Sequence, residues 1–190
     1  MDLEDLLNDL EIDIHSYVAA ATQQRIFLHA GVVGWRGQAI VIPGKNFSGK
    51  TSLVTALLRA GATYYSDEFA VLDARGWVHP YPWALHIREE GLKQPKAYPA
   101  ELLGAHAGTQ PLPIGLVIFS EYRQGGNWRP RPLSRGRAAL EMLANAVSLR
   151  YRPDVMLAML NRVVHGATVL KGVRGEAEEV VDSILKKIGH

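Results

Sequence analysis

The stretch Gln38-Ala39-Ile40-Val41-Ile42-Pro43-Gly44-Lys45-Asn46-Phe47-Ser48-Gly49-Lys50-Thr51-Ser52-Leu53-Val54-Thr55-Ala56-Leu57-Leu58-Arg59-Ala60-Gly61 decides the fold. Its first five residues read as an apolar strand over 38–42. Residues 51–60 read as a helix, with Leu53, Leu57 and Leu58 on one face and Gly61 as the stop. Between them, Gly44 to Thr51 fits the spacing G-x-x-x-x-G-K-[ST] in the context that gives it meaning, strand before and helix after. The two glycines let the backbone turn where a Cβ would obstruct it. Successive N–H groups then face inward as an anion nest, reinforced by the positive end of the helix dipole. The predicted nucleotide contacts are Gly44, Lys45, Asn46, Phe47, Ser48, Gly49, Lys50, Thr51 and Ser52. Lys50 would reach the β- and γ-phosphates of ATP, and the Thr51 hydroxyl would sit on Mg²⁺.

Working outward, residues 25–33 read as a strand joined to 38–42 by the turn Gly34-Trp35-Arg36-Gly37. Strands are expected at 63–66, 69–73 and 83–88. Residues 91–113 read as a loop with one helical turn. The continuous apolar run at 114–119 suits a buried strand, and Gly125-Gly126-Asn127 marks a turn. Helices are expected at 135–146, 154–164 and 176–188, with a short strand at 167–171. The expected class is therefore α/β: mixed β-sheets in the first two thirds, flanked by helices, and a helical C-terminal third. Residues 1–24 form an acidic extension whose Leu3, Leu6, Leu7 and Leu10 give a short amphipathic helix. Residues 25–190 form the nucleotide-binding domain.

The bulk composition narrows the classes further. The chain has 190 residues, 47% of them hydrophobic and 21% charged, which suits a packed core. No apolar run approaches bilayer length, so no membrane partner is expected. The acidic N-terminus lacks the basic start of a secretory signal, and a cytoplasmic location is the default. With no cysteine, disulfides and thiolate zinc sites are excluded. Residues 1–24 hold six acids and no Lys or Arg, which leaves 21 basic and 13 acidic side chains, a net of +8, on the rest. A basic body fits an anionic ligand such as a polyphosphate. No nucleic-acid-binding motif or aromatic stacking platform is present.

Magnesium nucleotides need a carboxylate near the metal, and transfer to a hydroxyl uses a base. Two places can supply one. Asp67-Glu68 follows Tyr64-Tyr65-Ser66, seventeen residues after Lys50; the apolar run 114–119 ends at Ser120-Glu121. Adjacent acids on a continuing strand point to opposite faces, so Asp67 and Glu68 can share one site only if the strand bends there. An aspartate of ordinary pKa, ~3.9, is a weak base. Arg123, Arg129, Arg131, Arg135 and Arg137 form a basic stretch, read mainly as a solvated loop. The seven histidines show no metal-ligand spacing.

His29-Ala30-Gly31-Val32, residues 34–42, the loop Gly44 to Thr51, residues 57–61 and Ser66-Asp67-Glu68 together resemble the catalytic domain of HPr kinase/phosphorylase and its shorter relatives. Looser likeness continues through Tyr122-Arg123, Pro132-Leu133-Ser134, Ala138-Ala139-Leu140 and residues 168–188. The resemblance implies a phosphoenolpyruvate carboxykinase-like P-loop fold and ATP- and Mg²⁺-dependent phosphorylation of a hydroxyl, serine in the founding case. It implies Asp67 as the acid that accepts the hydroxyl proton, Glu68 with Thr51 as metal-associated groups, and His29 near the phosphates. Lys50 completes the catalytic set, and Arg88 loosely matches a basic substrate- or phosphate-contacting position. It favours Asp67-Glu68 over Glu121. The chain differs from the family in its Lys-Asn-Phe-Ser loop, in Asp-Glu where Asp-Asp is commoner, and in carrying only a partial echo, Ile87-Arg88-Glu89-Glu90-Gly91, of a second signature. The acceptor is thus left open among protein, peptide and small hydroxylated metabolite. A homo-oligomer is also left open. Two other readings use the same loop: a nucleotide-binding regulatory module without transfer, and a simple P-loop ATPase.

Overall fold

The computed structural model describes residues 25–44, 48–87, 95–147 and 153–188, together with Leu10, Ile14, Tyr17 and Thr22. Most of the acidic extension, Lys45, Asn46, Phe47 and Arg88 lie outside the described residues. The fold is mixed α/β, with an eight-stranded mixed sheet, a two-stranded sheet and four α-helices among the described residues.

β1 (Ile26–Trp35) and β2 (Gln38–Pro43) form a hairpin in register from Trp35↔Gln38 to Ala30↔Pro43. Its two turn residues, Arg36 and Gly37, have φ of 49° and 76°. That is the turn handedness whose twist matches a hairpin. α1 (Lys50–Arg59) follows the glycine loop. It ends where Gly61, at φ 93°, donates to Leu58 O while Ala62 N–H reaches Leu57 O, so a glycine in the left-handed region closes the last turn.

β3 (Thr63–Ser66) and β4 (Phe69–Leu72) both pair antiparallel with β1, β4 along Ile26–His29 and β3 along Val32–Gly34 with a register shift at Val32/Val33. β5 (Trp77–His79) joins β4 to the start of β8 (Leu112–Tyr122). β8 then runs parallel between β2 and β10 (Thr168–Arg174), and β9 (Arg131–Pro132) closes the edge against β10. β6 (Leu85–Ile87) and β7 (Lys96–Tyr98) make the separate hairpin, followed by a 3-10 turn at Ala100–Leu103. The remaining helices are α2 (Arg135–Leu143), α3 (Pro153–Gly166) and α4 (Val181–Leu185).

The central strands are buried on both faces, which is why their sequences are continuously apolar rather than alternating. Ala39 and Val41 of β2 and Val117 and Phe119 of β8 face one core with Met142 of α2 and Met159 and Leu160 of α3. Ile40, Ile42, Leu116 and Ile118 face the other core with Leu53 and Leu57 of α1 and Ile184 of α4. Because β2, β8 and β10 are parallel, their C-terminal ends share one edge, and the glycine loop leaves the sheet there. That edge is where α/β sheets ordinarily bind ligands.

Several elements differ from the sequence expectation. The last third is not purely helical, since β10 is longer than expected and is paired on both edges, by β8 and β9. Its Gly172-Val173-Arg174 end carries no strand pattern and becomes strand by pairing with Ser120-Glu121-Tyr122. β5 and β7 are three-residue strands, too short for periodicity to signal. The closing helix spans only Val181–Leu185, with turns before it.

Candidate functional site

The site assembles where the loop, α1 and the β3–β4 junction meet. Gly44 N–H donates to His29 O at 3.1 Å, tying the start of the loop to β1. A Cβ on Gly44 would stand 2.5 Å from Ser48 Oγ, so a side chain there would have to displace Ser48. Gly49 has φ 83°, and its carbonyl accepts the first helical N–H, from Leu53, at 3.2 Å. Gly31 serves the same site from β1. A Cβ there would lie 2.5 Å from Val54 Cγ2, so glycine allows α1 to approach the strand.

The bend that the adjacent acids require is present. β3 ends at Ser66, and the Ser66 hydroxyl accepts the N–H groups of Glu68 at 3.2 Å and Phe69 at 3.0 Å. A serine side chain bonded two and three residues on is a turn device. Ala30 N–H donates to Glu68 O at 3.1 Å and fixes the turn to β1. Asp67 and Glu68 consequently leave the strand into the same region.

Their environments differ. Asp67 is buried, and its Oδ2 accepts the Thr51 hydroxyl at 2.6 Å. Its Oδ1 is buried with no hydrogen-bond partner. Burial pushes the Asp67 carboxyl up to about 7, with the neighbouring Glu68 charge adding, against the Thr51 hydrogen bond and the Lys50 charge, which lower it. Glu68 is half-buried, and its Oε1 lies 3.4 Å from His29 Nδ1. Its own burial raises its pKa, but the His29 contact and the charges of Lys50, His29 and His86 together hold it below the ordinary range. His29 is steadied against the Phe69 ring, 5.1 Å between centroids. Lys50 is buried at the first position of α1.

The structure therefore brings together Gly44, Ser48, Gly49, Lys50, Thr51, Asp67, Glu68 and His29. Thr51 is bonded to Asp67, while Glu68 stands with His29. Ser52 is exposed. Glu121, the other candidate acid, is exposed and paired with Arg123 at 3.2 Å. The five arginines from Arg123 to Arg137 are all exposed, and Arg137 is occupied by Glu141.

Two residues were missed from sequence. His86 on β6 is near enough to Glu68 for its charge to matter, and nothing in its local pattern indicated that. Arg174, at the end of β10, donates through Nη2 to Gly49 O at 2.7 Å. It lies 125 residues from the loop in sequence, and no short motif connects them.

These groups suit a magnesium ion, which is bound through one or two carboxylates with hydroxyl, phosphate and water oxygens completing the shell. The Glu68 carboxylate, which its neighbours hold below the ordinary pKa range, and the Thr51 hydroxyl at the start of α1 are the observations that fit. Among the described residues no cluster of three or more His, Cys, Asp or Glu could cage a metal unaided. No helix among the described residues is long and apolar enough to cross a membrane.

Neither a protein-family profile nor a curated protein matches the chain in sequence. Among solved structures it is similar to the Hpr(Ser) kinase/phosphatase from Coxiella burnetii, with a TM-score of 0.43 and 15% identity over 85% of this chain and 93% of that one. A likeness at that level says nothing about activity.

Proposed function

We propose that the chain is an ATP-dependent kinase that transfers the γ-phosphoryl group to a hydroxyl, serine being the favoured kind, on a protein, peptide or small molecule. The observation that carries this reading is Asp67. It is a buried carboxylate with one oxygen held by Thr51 and the other free, set beside a G-x-x-x-x-G-K-T loop. A buried carboxyl with a raised pKa and an unsatisfied oxygen, next to an anion-binding loop, is the pattern of a general base rather than of a structural acid.

In this reading Gly44 to Thr51 hold the triphosphate through backbone N–H groups, and Lys50 balances charge on the β- and γ-phosphates. Thr51 and Glu68 are the groups that would hold Mg²⁺, which when bound supplies charge neutralisation at the phosphates. The acceptor oxygen forms a bond to the γ-phosphorus as the bond to the β,γ-bridging oxygen breaks. The hydroxyl proton passes to Asp67 Oδ1, and ADP is the leaving group. A carboxyl near 7 is better matched to that proton than one of ordinary pKa. His29 orients Glu68. The phosphoenolpyruvate carboxykinase-like fold, residues 25–190 as the catalytic domain and Arg88 as a substrate contact belong to the same reading.

Incubation with γ-labelled ATP, Mg²⁺ and serine-bearing peptides and metabolites tests it. Label should enter an acceptor with the wild type and not with Asp67→Asn or Lys50→Ala. Bound ATP with no labelled acceptor would overturn transfer and leave a nucleotide-binding module. Free phosphate released without an acceptor would point to an ATPase.

A further inference from the structure

Arg174 is the largest fully buried side chain of the described residues, 1% exposed. Its guanidinium makes two hydrogen bonds, Nη2 to Gly49 O at 2.7 Å and Nη1 to Gly175 O at 2.9 Å. Nε is buried and has no partner. Among the described residues no carboxylate lies within ion-pairing distance of it. The Tyr122 ring covers it, 5.6 Å from centroid to guanidinium carbon, and the Tyr122 hydroxyl is turned away to Glu176 at 2.9 Å. Burial works against the charge, and the nearby carboxylates of Glu176 and Glu178, which favour it, do not outweigh burial. A buried cation with no direct ion pair is costly, and folds rarely keep one unless something else helps to balance it.

The position of its contact says what that is. Peptide units are planar and trans, so a carbonyl and the following N–H point in opposite directions. Arg174 and the Leu53 N–H both hold Gly49 O on the helix side of the peptide. The Lys50 N–H is thereby turned the other way, outward from the start of α1, where an anion nest needs it. Among the described loop residues Gly49 is also the one with left-handed φ, where glycine has the freest alternative orientations. Arg174 reaches it from β10, 125 residues further along the chain.

Resting on the reading of Gly44 to Thr51 as a polyphosphate loop, we propose that Arg174 is a positioning residue for that loop. It locks the Gly49 peptide in its anion-binding orientation, and the nucleotide phosphates complete the balance of a buried charge that no direct ion pair holds. Removing the charge then weakens nucleotide binding without a matching loss of stability in the ligand-free protein, which is the opposite of what a purely structural buried arginine would do.

Isothermal titration of ADP with Mg²⁺ into wild type, Arg174→Met and Arg174→Lys tests this, beside thermal melts without nucleotide. Arg174→Met should bind ADP at least tenfold more weakly with a ligand-free Tm no lower than a few degrees below wild type. Arg174→Lys, which keeps the charge and one donor but not the fork, should bind between the two. A folded Met variant with wild-type affinity overturns the proposal, as does a Lys variant no better than Met. If Met does not fold, the Lys variant decides: a threefold to tenfold loss of affinity at unchanged Tm supports it, and unchanged affinity overturns it. Wild type that binds no ADP would instead overturn the nucleotide reading beneath it.

Discussion

Two aspartates bracket β4, six residues apart, and they have opposite fates. Asp73 is nearly buried, yet every part of its carboxylate is engaged. Oδ1 accepts the N–H groups of Arg75 and Trp77 at 2.9 and 3.0 Å; Oδ2 accepts Arg75 and His79 at 3.1 Å, with Arg25 at 3.8 Å. Burial alone would raise its pKa, but the His79, Trp77 and Arg75 hydrogen bonds outweigh it and hold the carboxyl at about 2. Asp67 has one hydroxyl donor and an orphaned oxygen, and burial pushes it to about 7. The same side chain, placed beyond either end of one strand, is a stabilising tie on one side and a poised acid on the other. The number of donors supplied by neighbours decides which.

The sharpest way to break that comparison is chemical. Asp67→Asn should lower phosphoryl transfer by roughly 10²–10⁴-fold, the range a general base contributes, whereas Asp73→Asn should leave transfer within a fewfold of wild type. Equal losses in the two variants, measured as initial rates of labelled-product formation, would erase the distinction between them.

Stability should reverse the order. Asp73→Ala strips the acceptor from several donors and should cost roughly 2–4 kcal/mol, read by urea or thermal denaturation at pH 7. Asp67→Asn should instead stabilise the metal-free protein in EDTA at pH 8, by roughly 1–3 kcal/mol, because it removes the burial of a charge. A lower Tm for Asp67→Asn at pH 8 would show that the ionised carboxylate is well satisfied after all.

The pH dependences are of opposite sign. Asp67 has a folded pKa above its ordinary 3.8, so the folded state binds the proton more tightly. Its contribution is fully present below 3.8 and is lost as pH rises towards and through about 7. Asp73 has a folded pKa below 3.8, so its contribution is present above that value and is lost as pH falls towards about 2. Melting curves from pH 2 to 9 should show the high-pH decline shrink in Asp67→Asn and the low-pH decline shrink in Asp73→Ala.

The smallest effect concerns the turn that delivers the acids. Ser66→Ala should cost about 1 kcal/mol through the two N–H groups it leaves without an acceptor. It should slow transfer by more than that stability change suggests, because Asp67 and Glu68 lose their common direction. A rate unchanged at saturating ATP would show that the turn is held by the Ala30–Glu68 bond alone.

The elements around the loop were legible because their signals are local. The strand at 38–42, the helix at 51–60 and the buried run at 114–119 are long, apolar and punctuated by glycine, and they appear as β2, α1 and the middle of β8. β5, β7 and the end of β10 were not legible. They are short or polar, and pairing with distant strands makes them extended. At the site, the proximity of Asp67-Glu68 to the loop came through resemblance rather than from the residues, since a β-strand pattern alone cannot reveal that it bends.

By itself, then, the sequence determined the G-x-x-x-x-G-K-T spacing between a strand and a helix and the adjacency of Asp67 and Glu68, because backbone freedom and residue spacing are properties of short segments. Only the tertiary structure decided that Ser66 turns both acids the same way, that burial shifts Asp67 towards neutrality while donors keep Asp73 ionised, and that Arg174 comes 125 residues to hold Gly49. Protonation and peptide orientation depend on what surrounds a group in space, and those surroundings come from residues far away along the chain.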